Sequence, residues 1–129
     1  MKICLDTCAY SKLSLQPRDL INCVDEAETV FLSSVVMGEL FAGFSLGKHE
    51  KENRDALARF LDLPAVEVVN IDPAMADRYG QLVRMLRKQG TPIPTNDIWI
   101  AATAFETGSR LVTYDSHFSY IPGLLLIAP

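Results

Sequence analysis

Lys2-Ile3-Cys4-Leu5-Asp6-Thr7 opens the chain with a short apolar strand that stops at a carboxylate, and this pairing decides the fold. The pattern recurs further along. Val30-Phe31-Leu32-Ser33, Val66-Glu67-Val68-Val69 and Leu111-Val112-Thr113 read as a second, third and fourth strand, and Leu124–Ile127 as a fifth. Strands this short and this apolar belong to sheets buried on both faces, where the side-chain alternation of a half-exposed strand is lost. Helical stretches separate them, which implies right-handed βαβ crossovers. The expected fold is therefore α/β, with about five mostly parallel strands flanked by helices on both faces. At 129 residues the chain fits one domain spanning 1–129.

The intervening helices have recognisable ends. Thr7 is expected to cap a short helix through Leu13, and Pro17 suits the first turn of a second one running to about Glu28. A third is expected from Ser34 to Phe44, broken at Gly47, and a charged fourth from Lys48 to Leu63 with Leu57, Phe60 and Leu61 inward. Asp72-Pro73 is an N-cap followed by proline at the first helical position. Met75, Tyr79, Leu82 and Leu86 follow at helical spacing, marking a buried stripe that Gly90 ends. After the stiff loop Thr91-Pro92-Ile93-Pro94-Thr95, a last helix runs from Asn96 to Thr107 and stops at Gly108.

Composition narrows the function classes. With 12 Lys and Arg against 16 Asp and Glu, the formal charge is −4. That balance argues against a protein holding nucleic acid by bulk phosphate neutralisation. The longest apolar runs fall far short of the ~18 residues a membrane span needs. Met1-Lys2-Ile3-Cys4-Leu5-Asp6 places an acid where a secretory signal would need apolar residues, so a cytoplasmic location is expected. Three cysteines, Cys4, Cys8 and Cys23, suit a reducing compartment rather than a disulfide framework. His49 and His117 are isolated in sequence, so no structural zinc site is expected.

The acids are not scattered at random. Asp6 follows the first strand, Asp115 closely follows the fourth, Glu39 lies one to two turns into the helix after the second, and Asp97 starts the helix before the fourth. In parallel α/β sheets, ligands bind beyond the carboxyl ends of the strands, where these four residues project. Singly, each has a plain structural role as a cap or a solvated side chain. Together they crowd one pocket without an obvious Lys or Arg. Two such charges 4 Å apart repel by about 4 kcal/mol at an effective dielectric of 20. A hard divalent cation relieves that repulsion, and carboxylate oxygens suit Mg²⁺ or Mn²⁺. Asp6 and Asp97 are the first candidates for direct ligands, then Glu39, with Asp115 binding directly or through water.

Four segments carry a family likeness. Leu5-Asp6-Thr7, Ser34-Val35-Val36-Met37-Gly38-Glu39-Leu40, Asn96-Asp97-Ile98-Trp99-Ile100-Ala101-Ala102 and Thr113-Tyr114-Asp115-Ser116-His117-Phe118 resemble the four motifs of the PIN-domain ribonucleases. Their order, spacing and total length are similar to the VapC-type toxins of prokaryotic toxin–antitoxin pairs. The resemblance implies a single PIN-like domain in which Asp6, Glu39, Asp97 and Asp115 bind metal, with Thr7, Asn96 and Thr113 as supporting polar residues. It implies hydrolysis of an RNA phosphodiester to 5′-phosphate and 3′-hydroxyl ends. It also implies a VapB-like antitoxin partner able to place an arginine against the acids. Cys8 departs from the family, which often has asparagine there.

Other expectations are weaker in sequence signal. Lys12, Arg18, Arg84, Arg87 and Lys88 are basic groups placed to guide RNA, although a solvated helix face is the plainer reading of the last three. Leu20, Ile21, Val24, Leu40, Phe41 and Phe44 exceed what one small sheet face needs, which suits a homodimer interface or a groove for a partner helix. His117 follows the last acid closely enough to lie near substrate, but local packing is its expected role. A haloacid-dehalogenase-like phosphatase would need an acid where Cys8 stands. A receiver domain would need an Asp after the third strand and a Lys after the fifth. The alternative is a catalytically silent PIN-like RNA- or protein-binding module: its usual signature is a lost acid and none is lost, but intact acids do not by themselves prove turnover.

Overall fold

A computed structural model describes residues 1–129. Its elements in chain order are β1 (Lys2–Leu5), α1 (Thr7–Lys12), α2 (Arg18–Glu26), β2 (Thr29–Ser33), α3 (Ser34–Leu46), α4 (Glu50–Leu61), β3 (Val66–Val69), α5 (Pro73–Gln89), α6 (Thr95–Thr107), β4 (Arg110–Val112) and β5 (Leu126–Ile127). Single 3₁₀ turns at Leu13–Leu15 and Ser116–Tyr120 complete them.

All five strands are parallel, in the order β3-β2-β1-β4-β5. β1 is central: Leu5 pairs with Leu32 on one side and Val112 on the other. Ile3, Cys4 and Leu5 have no exposed surface, as an apolar run with helices on both faces requires. The edge strand β3 is less covered, and Glu67 and Val68 face solvent. The chain steps outward from β1 to β2 to β3, then reverses past both to reach β4. Right-handed crossovers then put α1–α4 on one face and α5 and α6 on the other. Packing follows: α1 meets α3, α3 meets α4, and α5 lies along α6.

The long helices begin and end as their sequences dictate. The Asp72 carboxylate accepts a bond from the Met75 N–H at 2.8 Å, Pro73 fills the first helical position, and Gly90 closes α5 in the left-handed region. Gly108 does the same for α6. Met75, Leu82 and Leu86 are buried, and Tyr79 stacks on Trp99 with ring centroids 3.8 Å apart, fixing α5 to α6.

Several boundaries differ from expectation for local reasons. Asp6, not Thr7, caps α1, because the Asp6 carboxylate reaches the Ala9 N–H while Thr7 already has helical geometry. α2 stops at Glu26, because Ala27 is extended and Glu28 bonds back to Met1 on the way into β2. α3 continues to Leu46, and α4 starts only at Glu50, with His49 at the N-cap position making no side-chain capping bond. β5 is confined to Leu126–Ile127, since Gly123, with φ of 81°, is still turning. No helix is long and apolar enough to cross a membrane.

Candidate metal centre

The strand order reverses between β1 and β4, and Asp6 and Asp115 follow the ends of these two strands; the group of donor atoms close enough to share one ion is Asp97, Asp115 and His117, with Asp6 and Glu39 outside it. Asp6 leaves β1 buried, only 4% exposed. One of its oxygens caps α1 at 2.8 Å, and the other accepts the Thr113 hydroxyl from the end of β4. Thr113 is itself fixed, its N–H bonded to Ile127 and its hydroxyl oxygen accepting the Asp115 N–H at 2.9 Å. Asp115 turns back as the cap of the following 3₁₀ turn, accepting the His117 N–H at 2.9 Å. From α3, Glu39 accepts the Thr7 hydroxyl at 2.6 Å. Asp97 comes from the first turn of α6, on the opposite face of the sheet.

Two of the expected supporting residues therefore hold acids directly: Thr7 holds Glu39, and Thr113 holds Asp6. Asn96 is exposed and makes no side-chain hydrogen bond. His117 departs from its expected packing role. Phe118 does the packing, with 1% exposure, while the His117 side chain is 49% exposed. Its Nδ1 lies 3.2 Å from Asp115 Oδ1 and 3.8 Å from Asp97 Oδ2. The signal in the sequence was Asp115-Ser116-His117-Phe118, in which a buried aromatic pins the turn and the residue before it is left beside the acid. Periodicity does not register a turn this short.

The electrostatics are those of a site built for positive charge. Burial raises the Asp6 carboxyl above its ordinary range, against the bonds from Thr113 and Ala9, with Asp115 and Glu39 adding to the rise. Asp97 is pushed up to about 6, first by burial and then by Asp115 and Glu39, with His117 opposing. No Lys or Arg forms an ion pair with Asp6, Glu39, Asp97 or Asp115; the lysine and arginine pairs are Arg54–Glu50 and Arg78–Glu106. Donor atoms of Asp97, Asp115 and His117 all lie within 4.8 Å of one another, a spacing that can hold a metal ion. The donor set is oxygen-rich and anionic, which fits a hard divalent cation.

The remaining cysteines and basic residues lie outside this chemistry. Cys4 is buried in the sheet, and burial together with nearby Asp6 pushes its thiol up to about 12, so it stays protonated. Lys12 sits over the Tyr114 ring, 4.8 Å from its centroid, at the rim formed by α1. Arg84 and Lys88 lie on a shallow face of α5. A separate apolar groove of about 440 Å³ runs between the end of α1, α3 and α4, lined by Tyr10, Leu13, Phe44, Ala56 and Phe60 among others.

Comparison with known proteins converges on one family. A family model for the PIN domain matches residues 3–124. Ribonuclease VapC2 of Rickettsia felis is 31% identical over 128 residues, covering 95% of this chain and 93% of that protein. Among solved structures, VapBC2 from Rickettsia felis bound to a DNA fragment from their promoter superposes with a TM-score of 0.86 at 29% identity, covering 98% of each chain. DNA-bound VapBC from Salmonella typhimurium superposes with a TM-score of 0.85 at 26% identity, covering 98% of this chain and 97% of that one.

Proposed function

The chain belongs to the PIN-domain family, and on that premise we propose that residues 1–129 act as one metal-dependent endoribonuclease domain, the toxin of a VapBC-type pair. The observation that carries the reading is the convergence of Asp6, Glu39, Asp97 and Asp115 at the β1–β4 switch point with no Lys or Arg among them. Of the four, Asp6 and Asp97 have raised carboxyls, first through burial and then through the neighbouring acids, and a bound cation would relieve that.

Asp6, Asp97, Glu39 and Asp115 would hold one or two Mg²⁺ or Mn²⁺ ions. A bound divalent ion supplies phosphoryl charge neutralisation and a nucleophile drawn from water at neutral pH. The chain's own contribution is placement. Thr113 orients one Asp6 oxygen and the α1 cap orients the other, so that carboxylate cannot rotate away. Thr7 does the same for Glu39. Each of these oxygens keeps a second lone pair for a metal ligand. Lys12, at the rim, offers a cation to the RNA backbone.

Two partner readings follow from the surface. The groove lined by Tyr10, Leu13, Phe44 and Phe60 would receive an apolar segment of an antitoxin, whose arginine, as the family resemblance implies, would neutralise the acids and displace the metal. Val24 and Phe41, half-buried against the core, half-buried Ile21, and exposed Leu15 and Leu46 supply apolar surface for a homodimer. Sedimentation at micromolar concentration should give twice the chain mass; a monomer would remove the dimer.

The deciding assay is cleavage of RNA by purified protein with Mg²⁺ or Mn²⁺, beside Asp97→Asn and an EDTA control. Cleavage should require the ion and the acid. Equal activity in Asp97→Asn, or activity surviving EDTA, would exclude the metal mechanism.

A further inference from the structure

We propose that His117 is a direct ligand of the metal centre through Nδ1, and that this nitrogen makes the site prefer Mn²⁺ to Mg²⁺. The proposal rests on reading the acids as a metal site and adds a fifth residue of different chemistry to them.

Geometry comes first. Atoms that share an octahedral ion at about 2.1 Å stand about 3 Å apart when adjacent and about 4 Å apart when opposite. His117 Nδ1 is 3.2 Å from Asp115 Oδ1 and 3.8 Å from Asp97 Oδ2, and the donor atoms of all three residues fit within 4.8 Å. The His117–Asp115 separation is already that of adjacent ligands on one small ion, and the wider ones require the side chains to draw in on it. Asp97 and Asp115 come from α6 and from the turn after β4, so His117 closes a group assembled from both sides of the switch point.

The position is also built rather than incidental. Asp115 accepts the His117 N–H at 2.9 Å, which fixes the backbone of the two residues relative to each other. Phe118, 1% exposed, anchors the turn from below. The backbone carrying the imidazole is therefore fixed beside the Asp97–Asp115 pair. No aromatic partner or apolar pocket holds the ring elsewhere: its side chain is 49% exposed, and its only ion-pair neighbours are these two carboxylates.

Ligand chemistry then sets selectivity. Mg²⁺ is hard, is satisfied by oxygen and keeps its waters, whereas imidazole nitrogen suits first-row transition ions. Adding one nitrogen to an oxygen cluster should raise affinity for Mn²⁺ and leave Mg²⁺ nearly unchanged.

The test uses Mn²⁺ and Mg²⁺ themselves, without RNA. Calorimetric titration of wild type, His117→Ala and His117→Gln should show Mn²⁺ affinity falling by about tenfold or more in both variants. Mg²⁺ affinity should change by less than about twofold. Electron spin-echo spectra of the Mn²⁺-loaded protein should show nitrogen modulation in wild type that is lost in His117→Ala. Mn²⁺ binding unchanged in the variants, Mg²⁺ and Mn²⁺ weakened equally, or wild type without nitrogen modulation would each overturn the ligand assignment while leaving the acid site intact. Wild type binding neither ion would overturn the acid site itself, and the assignment with it.

Discussion

Two helices in this molecule start in the same way and end up with different work. At the head of α1, Asp6 accepts the Ala9 N–H at 2.8 Å; at the head of α5, Asp72 accepts the Met75 N–H at 2.8 Å. Locally the two caps are interchangeable, an aspartate holding the third residue on. Their settings are not. Asp72 is exposed and follows the edge strand β3, which has a neighbour on one side only. Asp6 is 4% exposed and follows the central strand β1, so β4 delivers Thr113 to its free oxygen and brings Asp115 nearby. The same local sequence rule makes a cap in one place and part of a charged site in the other. Strand order makes the difference.

The largest expected effect separates the two caps by activity. Asp6→Asn and Asp97→Asn should each lower RNA cleavage by about 100-fold or more, since even a partner behind a metal ligand is worth about 10–100-fold. Asp72→Asn should stay within about twofold of wild type. Comparable losses at Asp6 and Asp72 would mean that Asp6 matters only as a cap.

A smaller effect appears in stability against pH. The folded Asp97 carboxyl holds its proton up to about pH 6, whereas the unfolded chain releases it near 3.8. Between those values the native state binds more protons, so unfolding free energy falls as pH rises through the window. Metal-free wild type should therefore gain stability relative to Asp97→Asn on going from pH 7.5 to pH 4.5, on the order of 2 kcal/mol. Urea melts at the two pH values read this difference directly. Parallel pH curves would remove the strain from Asp97.

The caps themselves give the next contrast. Asp72→Ala should cost about 1 kcal/mol, the ordinary value of an N-cap. Asp6→Asn keeps an acceptor for Ala9 and removes a charge from the acid group, but sets an amide NH₂ against the Thr113 hydroxyl that Asp6 accepts, so metal-free protein should melt near wild type. A lower melting point at Asp6→Asn than at Asp72→Ala would make Asp6 purely structural. The smallest effect belongs to Thr7→Val, which deletes the 2.6 Å bond to Glu39. It should change stability by about 1 kcal/mol or less and weaken Mn²⁺ binding by about 10-fold. Calorimetry that found Mn²⁺ binding abolished would move Thr7 from support into the site.

How far the sequence carried this picture depended on the range of the forces involved. β1 was legible to the residue because an apolar run bounded by a turn residue has one way to bury itself, and β3 because its β-branched valines sit between turn residues even though the edge strand stays partly exposed. The α5 cap, its proline and its closing glycine were legible because each acts within four residues. The four acids could be placed at one sheet edge from topology alone. What stayed hidden was decided by contacts far along the chain. Thr7 looked like a cap because Thr often caps, yet its hydroxyl goes to Glu39, 32 residues away. Asp6 takes Thr113 across 107 residues. The sequence leaves His117 between packing and the site, because a five-residue 3₁₀ turn has no periodicity to read; the burial of Phe118 and the short distances to Asp115 and Asp97 show where the imidazole stands.

The central claim, that repelling carboxylates at the β1–β4 switch point await a divalent cation, is tested most directly by melting wild type, Asp72→Asn and Asp97→Asn with increasing Mn²⁺. Metal that binds only the folded state at 100 times its Kd adds about 2.7 kcal/mol, a rise of roughly 10 °C for a domain of this size. Wild type and Asp72→Asn should rise together and Asp97→Asn should barely move. A wild-type melting point indifferent to Mn²⁺, or an Asp97→Asn variant that rises as far as wild type, would contradict the account.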